Sequence, residues 1–288
     1  MKKTAIVIFL LTLYINGNCQ YQSISFYVIA HPDQWELFMG ENAYQDISSV
    51  VNGPQNKVVF IYATTGSDGC NSGHLNISNY LTRQAGANNS VEFCADKVGS
   101  HSEWFTDHVS VQGHNILKYI YKNTVSYCLR LPDGCNGQNI FGQSLQLLHD
   151  GAISSIIAVD SSATYTGWSD LTNTVNQIII SEKGPIDHIY INTADTDVSI
   201  NKGDNPDHIY TGMLCMDAVN AISPLTINLF VEFGVAALPS NLDEFSIATN
   251  AALLSQLDYT GTENGLPSEW TTLNINYMSR NYFRTVIK

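Results

Sequence analysis

Positive charge is scarce in this chain. It has 13 Lys and Arg against 26 Asp and Glu, a formal net charge of -13, which argues against nucleic acid or anionic lipid as a partner. No CxxC pair occurs, so a thiolate zinc knuckle or a thioredoxin-type redox site is not expected. The glycine-rich "TTGSDGCNSG" lacks a GK[ST] ending and reads as a loop lining a pocket, not a phosphate-binding P-loop. No GxSxG elbow is present either, which argues against a serine hydrolase.

What is present suits a globular protein. The 288 residues are 44% hydrophobic, enough to bury a substantial core. The opening "MKKTAIVIFLLTLYINGNCQ" has two lysines, an apolar run from Ala5 to Ile15 and then small and polar residues, the layout of a secretory signal peptide. That run is too short to span a bilayer. The expected division is a leader over residues 1–19, cut before Gln20, and a single domain over 20–288; lipidation at Cys19 is the weaker alternative, because "INGN" is a poor signal for it. The processed chain would be secreted, periplasmic or at the cell surface, with no transmembrane segment. Without Lys2 and Lys3 it carries 26 acidic against 11 basic side chains, a charge near -15.

Five cysteines follow the leader, and export makes two disulfides the expectation, with one thiol left over. Cys128 and Cys135 flank the turn-like "LRLPDG" and form one expected pair; Cys70 and Cys94 form the other. Cys215 lies in an apolar helical pattern, "GMLCMDAV", and reads as buried and inert.

Along the chain, β-rich apolar runs ("ISFYVIA", "KVVFIYATT", "SSIIAVD", "DHIYINTA", "LTINLFVEF") alternate with helical patterns over 34–51, 77–93, 168–183, 207–222 and 242–257. This alternation predicts an α/β fold with a mostly parallel sheet and helices on both faces. Ser78, Ser169 and Asp243 are the expected N-caps. The stretch from His108 to Gly142 reads as strands and turns beside the main sheet.

Ligands of open parallel sheets bind at the carboxyl ends of strands. "AHPDQWELFMG" puts His31 and Asp33 at such an end, with Pro32 disfavouring helix at His31 and Asp33 near a helix N-terminus. "GDNPDHIYTG" follows "DHIYINTA" and repeats the pattern of turn, proline, acid and histidine. Two strand ends therefore offer His31 and His208 to one pocket. His74, His101, His108, His114, His149 and His188 show no partner pattern and read as surface or core residues.

The two motifs together, with "VVFIYATTGSDG", "YLTRQAGA", "LRLPDG" and "AVDSSATYTGWSDL", resemble the secreted bacterial branch of the PIG-L or LmbE-like superfamily of zinc-dependent de-N-acetylases. The resemblance implies a three-layer Rossmann-like fold, one zinc ion, and hydrolysis of an N-acetyl group on an amino sugar or glycoconjugate. Carried over residue by residue, it implies His31, Gln34 and His208 as metal ligands, Asp33 as general base, and Asn205 with Asp207 at the acyl centre. Arg83 falls near the substrate, although Gln84 and Ala85 stand where an acidic residue usually follows it. The partner implied is a small-molecule or glycan substrate.

Two residues depart from that pattern: Gln34 replaces an aspartate ligand, and Asn205 replaces a histidine. A neutral amide leaves more uncompensated charge on the ion and should weaken its retention. Asn205 can donate a hydrogen bond to an oxyanion but cannot pass a proton to a leaving amine. The alternative implied is an impaired member that binds an acetylated carbohydrate without cleaving it. An active site predicts that Gln34 Oε1 and one nitrogen of each histidine converge within about 2 to 2.5 Å of one point.

Overall fold

The computed structural model describes residues 21–49, 55–66, 70 and 77–288. The expected leader, residues 1–19, lies outside them, as does most of the "TTGSDGCNSG" loop. Among the described residues, no helix is long and apolar enough to cross a membrane.

Among the described residues, ten strands and eight α-helices follow one another. The strands are β1 (Ser23–Ile29), β2 (Asn56–Thr64), β3 (Phe105–Val111), β4 (His114–Tyr121), β5 (Thr124–Leu131), β6 (Ser155–Ile157), β7 (Thr164–Thr166), β8 (His188–Ala194), β9 (Thr226–Val231) and β10 (Tyr282–Ile287). The helices are α1 (Gln34–Phe38), α2 (Gly40–Ser48), α3 (Ile77–Ala95), α4 (Leu145–His149), α5 (Gly167–Lys183), α6 (Pro206–Ala218), α7 (Glu244–Glu263) and α8 (Thr272–Tyr277).

Eight strands form one sheet in the order β10-β9-β8-β1-β2-β5-β4-β3. Its centre, β9-β8-β1-β2-β5, is parallel, while at the two sides β10 pairs antiparallel with β9, β4 with β5 and β3 with β4. This is the α/β architecture with a large, mostly parallel sheet that the alternation predicts. The central strands are almost wholly buried, as strands covered on both faces must be.

Successive side chains of β1 point to opposite faces and enter two separate cores. Ile24, Phe26 and Val28 pack with Leu171, Val175 and Ile178 of α5 and Leu214 of α6. Tyr27 and Ile29 pack with Trp35 of α1, Ile47 of α2, Val91 of α3 and Leu253 of α7.

Several expectations are corrected. "SSIIAVD" does not join the main sheet: β6 pairs antiparallel with β7 in a separate hairpin. Ile156 is buried while Ile157 is 40% exposed, so this strand has one covered face, not two. The stretch from His108 lies within the main sheet, where β5 pairs parallel with β2 and β4 and β3 continue the sheet. The helical pattern over 34–51 breaks at Met39, whose backbone (φ -127°, ψ 8°) separates α1 from α2. Asp243 caps α7 through Ser246 N, as expected, but Ser78 and Ser169 lie inside α3 and α5.

The cysteine pairing also differs. The disulfide joins Cys70 to Cys135, while Cys94, Cys128 and Cys215 are buried thiols. Cys94 and Cys128 both turn into the core shared by α3 and β2, away from the strand ends where Cys70 and Cys135 meet. Cys215 is buried as predicted, and burial pushes its thiol up to about 12.

Candidate functional site

β1 pairs with β2 on one side and with β8 on the other, so the chain reverses its direction of travel across the sheet between β1 and β8. The crevice beyond the carboxyl ends of such a pair is where open α/β sheets bind ligands. His31 follows β1 there, and α6 brings His208 to the same place after β8.

α6 can approach because of Gly212. A Cβ at that position would lie 2.6 Å from Ala194 O and 2.8 Å from Thr196 Cγ2, so only glycine lets the helix sit this close to the end of β8. Pro206 occupies the first turn of α6, and Asn205 is its N-cap, accepting from Asp207 N at 3.0 Å.

His208 Nε2 and His31 Nδ1 face each other at 3.3 Å. Their outer nitrogens face carboxylates: His208 Nδ1 is 2.9 Å from Asp204 Oδ1 and 2.6 Å from Glu232 Oε2. His31 Nε2 is 3.4 Å from Asp207 Oδ2 and 3.5 Å from Asp133 Oδ2. An ionised carboxylate only accepts, so the outer carboxylates favour a proton on each outer nitrogen and leave the two inner nitrogens to share either a proton or a cation. Two lone pairs facing each other repel unless a proton or a cation lies between them. In zinc sites the His nitrogen bond is about 2.0–2.1 Å, which makes a tetrahedral edge of about 3.3–3.4 Å. The observed separation fits that edge, and carboxylates behind ligating imidazoles are the usual support of such ligands.

Gln34 does not join them, and here the expected ligand set is corrected. Its Oε1 accepts from Ala30 N at 2.5 Å and from His31 N at 3.3 Å, and its Nε2 donates to Glu232 Oε1 at 2.5 Å. Both lone pairs of the carbonyl are thus directed at backbone donors. The expected convergence of Gln34 Oε1 with the imidazoles is replaced by a buried chain from the end of β1 through Gln34 and Glu232 to His208.

Asp33 and Arg83 meet on the pocket wall. Arg83 Nη1 donates to Asp33 Oδ2 at 2.7 Å and Nη2 to Glu269 Oε1 at 2.8 Å. Asp33 is the residue before α1 but makes no side-chain cap, because its carboxylate turns to the guanidinium. Burial pushes the Asp33 carboxyl up, and Arg83 and His31 outweigh it, leaving the group below its ordinary range. For His208, burial favours the neutral ring, but Glu232 and Asp204 hold its pKa well above the ordinary value. Burial raises Asp133, with Asp207 adding to the effect against the attraction of His31.

These groups border a polar cavity of about 300 Å³, lined by His31, Asp33, Gly66, Cys70, Arg83, Asp133, Cys135, Asn136, Gln138 and Asn205. Among the seven residues expected at the site, His31, Asp33, Arg83 and Asn205 line it, while His208 and Asp207 stand behind His31 and Gln34 faces away. Asp133 and Glu232 were not expected. Each is the first acid after a doubly buried strand, "LRLPD" and "NLFVE", a signal of the same kind as "AHPD".

No family matches the chain in a scan of protein families, and no curated protein matches it. Among solved structures, the chain is similar to the 4-carboxy-2-hydroxymuconate hydratase GalB of Pseudomonas putida KT2440, at 8% identity and a TM-score of 0.40, over 89% of this chain and 82% of that one.

Proposed function

We propose that this chain is an exported, divalent-cation-dependent hydrolase that removes an N-acetyl group from an amino sugar or glycoconjugate, built as the three-layer Rossmann-like domain its motifs resemble. The observation that carries the reading is the inner edge of the two imidazoles, 3.3 Å apart with carboxylates facing their outer nitrogens. Zinc fits this donor pair, with His31 and His208 as holders and Gln34 excluded. Bound there, the ion would polarise an acyl carbonyl and acidify water.

The chain's own residues supply the rest. Asp33 is held ionised by Arg83 at Oδ2, which leaves Oδ1 to accept a proton at the cavity edge. Asn205 is fixed by its capping bond through Oδ1 and keeps Nδ2 as a donor for a developing oxyanion. Asn205 has no proton to give a leaving amine at neutral pH.

A second reading, capture of an acetylated carbohydrate without cleavage, draws support from the same geometry: Gln34 is turned away and Asn205 is an amide. The test is zinc content of the full chain together with acetate release from N-acetylglucosamine and its oligomers, with His208→Ala and Asp33→Asn alongside. The deacetylase reading expects bound zinc and acetate release that both variants abolish. Sugar binding by calorimetry without acetate release from the zinc-loaded chain would overturn it in favour of the second.

A further inference from the structure

The two histidines meet their outer carboxylates at different spacings. His208 Nδ1 lies 2.6 and 2.9 Å from Glu232 and Asp204, the lengths of charge-assisted hydrogen bonds. His31 Nε2 lies 3.4 and 3.5 Å from Asp207 and Asp133, beyond the usual N–H···O range. All three of these groups are nonetheless buried. The three donor atoms lie within 4.8 Å of one another.

Charge sharpens the point. Asp133 and Asp207 stand side by side, and His31 can offer them at most one positive charge. Arg83 is engaged elsewhere, with Asp33 and Glu269. Asp207 is 1% exposed, Oδ2 accepts from Gly134 N at 2.7 Å, and Oδ1 is a buried oxygen with no hydrogen-bond partner. Such an oxygen costs about 1–3 kcal/mol unless something satisfies it. Ligand atoms held about 2.0–2.2 Å from one ion stand about 3.0–3.5 Å apart, and His31 Nε2 stands 3.4 and 3.5 Å from the two aspartates.

We infer a second cation position on the outer edge of His31, formed by His31 Nε2, Asp133 and Asp207 and opening to the cavity through His31 and Asp133. One nitrogen and two carboxylates suit zinc or manganese. His31 then stands between two positions, its Nδ1 on the inner and its Nε2 on the outer. Filling both requires the ring to give up its remaining proton to solvent, and the second cation supplies the charge that offsets this. The inference shares His31 with the proposed function, but the outer position does not depend on His208.

The experiment counts zinc and manganese bound by the chelator-stripped full chain and by its Asp133→Asn, Asp207→Asn and His208→Ala variants. The expected wild-type count is two equivalents. Each aspartate variant should lose one of them or bind it at least tenfold more weakly, and His208→Ala should keep the outer one. A single wild-type equivalent that His208→Ala removes and Asp133→Asn leaves unweakened overturns the outer position. A single equivalent with the opposite dependence supports the outer position and sinks the inner one, so the two failures are distinct. If an aspartate variant does not fold by circular dichroism, electron-spin-echo spectra of His208→Ala with one manganese decide: one coupled imidazole supports the outer position, none overturns it.

Discussion

The Nε2 of Gln34 donates to Oε1 of Glu232 at 2.5 Å, and the other oxygen of Glu232, Oε2, lies 2.6 Å from His208 Nδ1. Only an amide can accept from the backbone of Ala30 and His31 while donating to a carboxylate. A carboxylate at position 34 would face Glu232 across the same distance. Gln34→Glu is therefore expected to lose about 1–3 kcal/mol of stability in urea denaturation. Exchanging the pair, Gln34→Glu with Glu232→Gln, restores each donor to an acceptor and should recover most of that loss. Additive effects in the double variant would show that the two residues are not coupled. Restoring the resembled aspartate alone, by Gln34→Asp, should not improve zinc binding, because Glu232 remains in place.

Asp46 gives a pH-dependent prediction away from the site. Its carboxyl accepts from Tyr27 Oη at 2.7 Å, and burial pushes its pKa from 3.8 up to about 6. Below pH 3.8 both folded and unfolded chains hold the proton. Between 3.8 and 6 the unfolded chain releases it first, so stability falls as pH rises through this window and stays lower above it. Asp46→Asn keeps an acceptor for Tyr27 and removes the ionisation. It should raise stability by about 1–3 kcal/mol at pH 7.5 and by nothing measurable at pH 3.5. Equal gains at both values would place the effect elsewhere.

How much of this was legible in the sequence depends on range. β1, β2 and β9 are almost wholly buried strands and β8 is buried from Ile191 to Ala194, and their apolar runs announce them; α3, α5, α6 and α7 carry helical spacing. "AHPD" and "NPDH" likewise identify His31, Asp33 and His208, because each motif encodes its own strand end or helix start. Gln34 is different: its role is set by Glu232, 198 positions away, which no local pattern connects to it. Cys70 and Cys135 are 65 positions apart and meet only because β2 and β5 are neighbours in the sheet. The antiparallel β10 completes the sheet edge with exposed, mixed side chains and leaves no buried-strand signature.

Gly212 links packing to the site. An alanine there must push α6 away from Ala194 O, since backbone cannot yield as a flexible side chain does. Gly212→Ala is expected to cost about 1–3 kcal/mol. Because α6 carries His208, it should also widen the imidazole pair and weaken zinc binding at least tenfold. Gly261→Ala on α7, where the nearest atom to a new Cβ is 3.7 Å away, is the control. It should be neutral or stabilising by up to about 1 kcal/mol, with zinc binding unchanged. Equal zinc affinity in the Gly212 variant and wild type would separate the helix's position from the site.

The Cys70–Cys135 bridge predicts how the chain responds to reductant. It closes a span of 65 residues, for which the chain-entropy model gives about 4 kcal/mol, with measured values for disulfides of about 2–4 kcal/mol. Cys135 also adjoins Asp133, whose Oδ1 accepts from Cys135 N at 2.6 Å, so the bridge fixes a turn at the cavity wall. Wild type in a dithiol reductant should melt like Cys70→Ser/Cys135→Ser, both below the oxidised chain. Cys128→Ser removes a thiol that burial pushes up to about 12 and that takes no part in the bridge. It should keep the full response to reductant. If that response vanished in Cys128→Ser and persisted in Cys70→Ser, the pairing suggested by the "LRLPDG" turn would be the correct one, and Asp133 would lose its covalent anchor to the loop after β2.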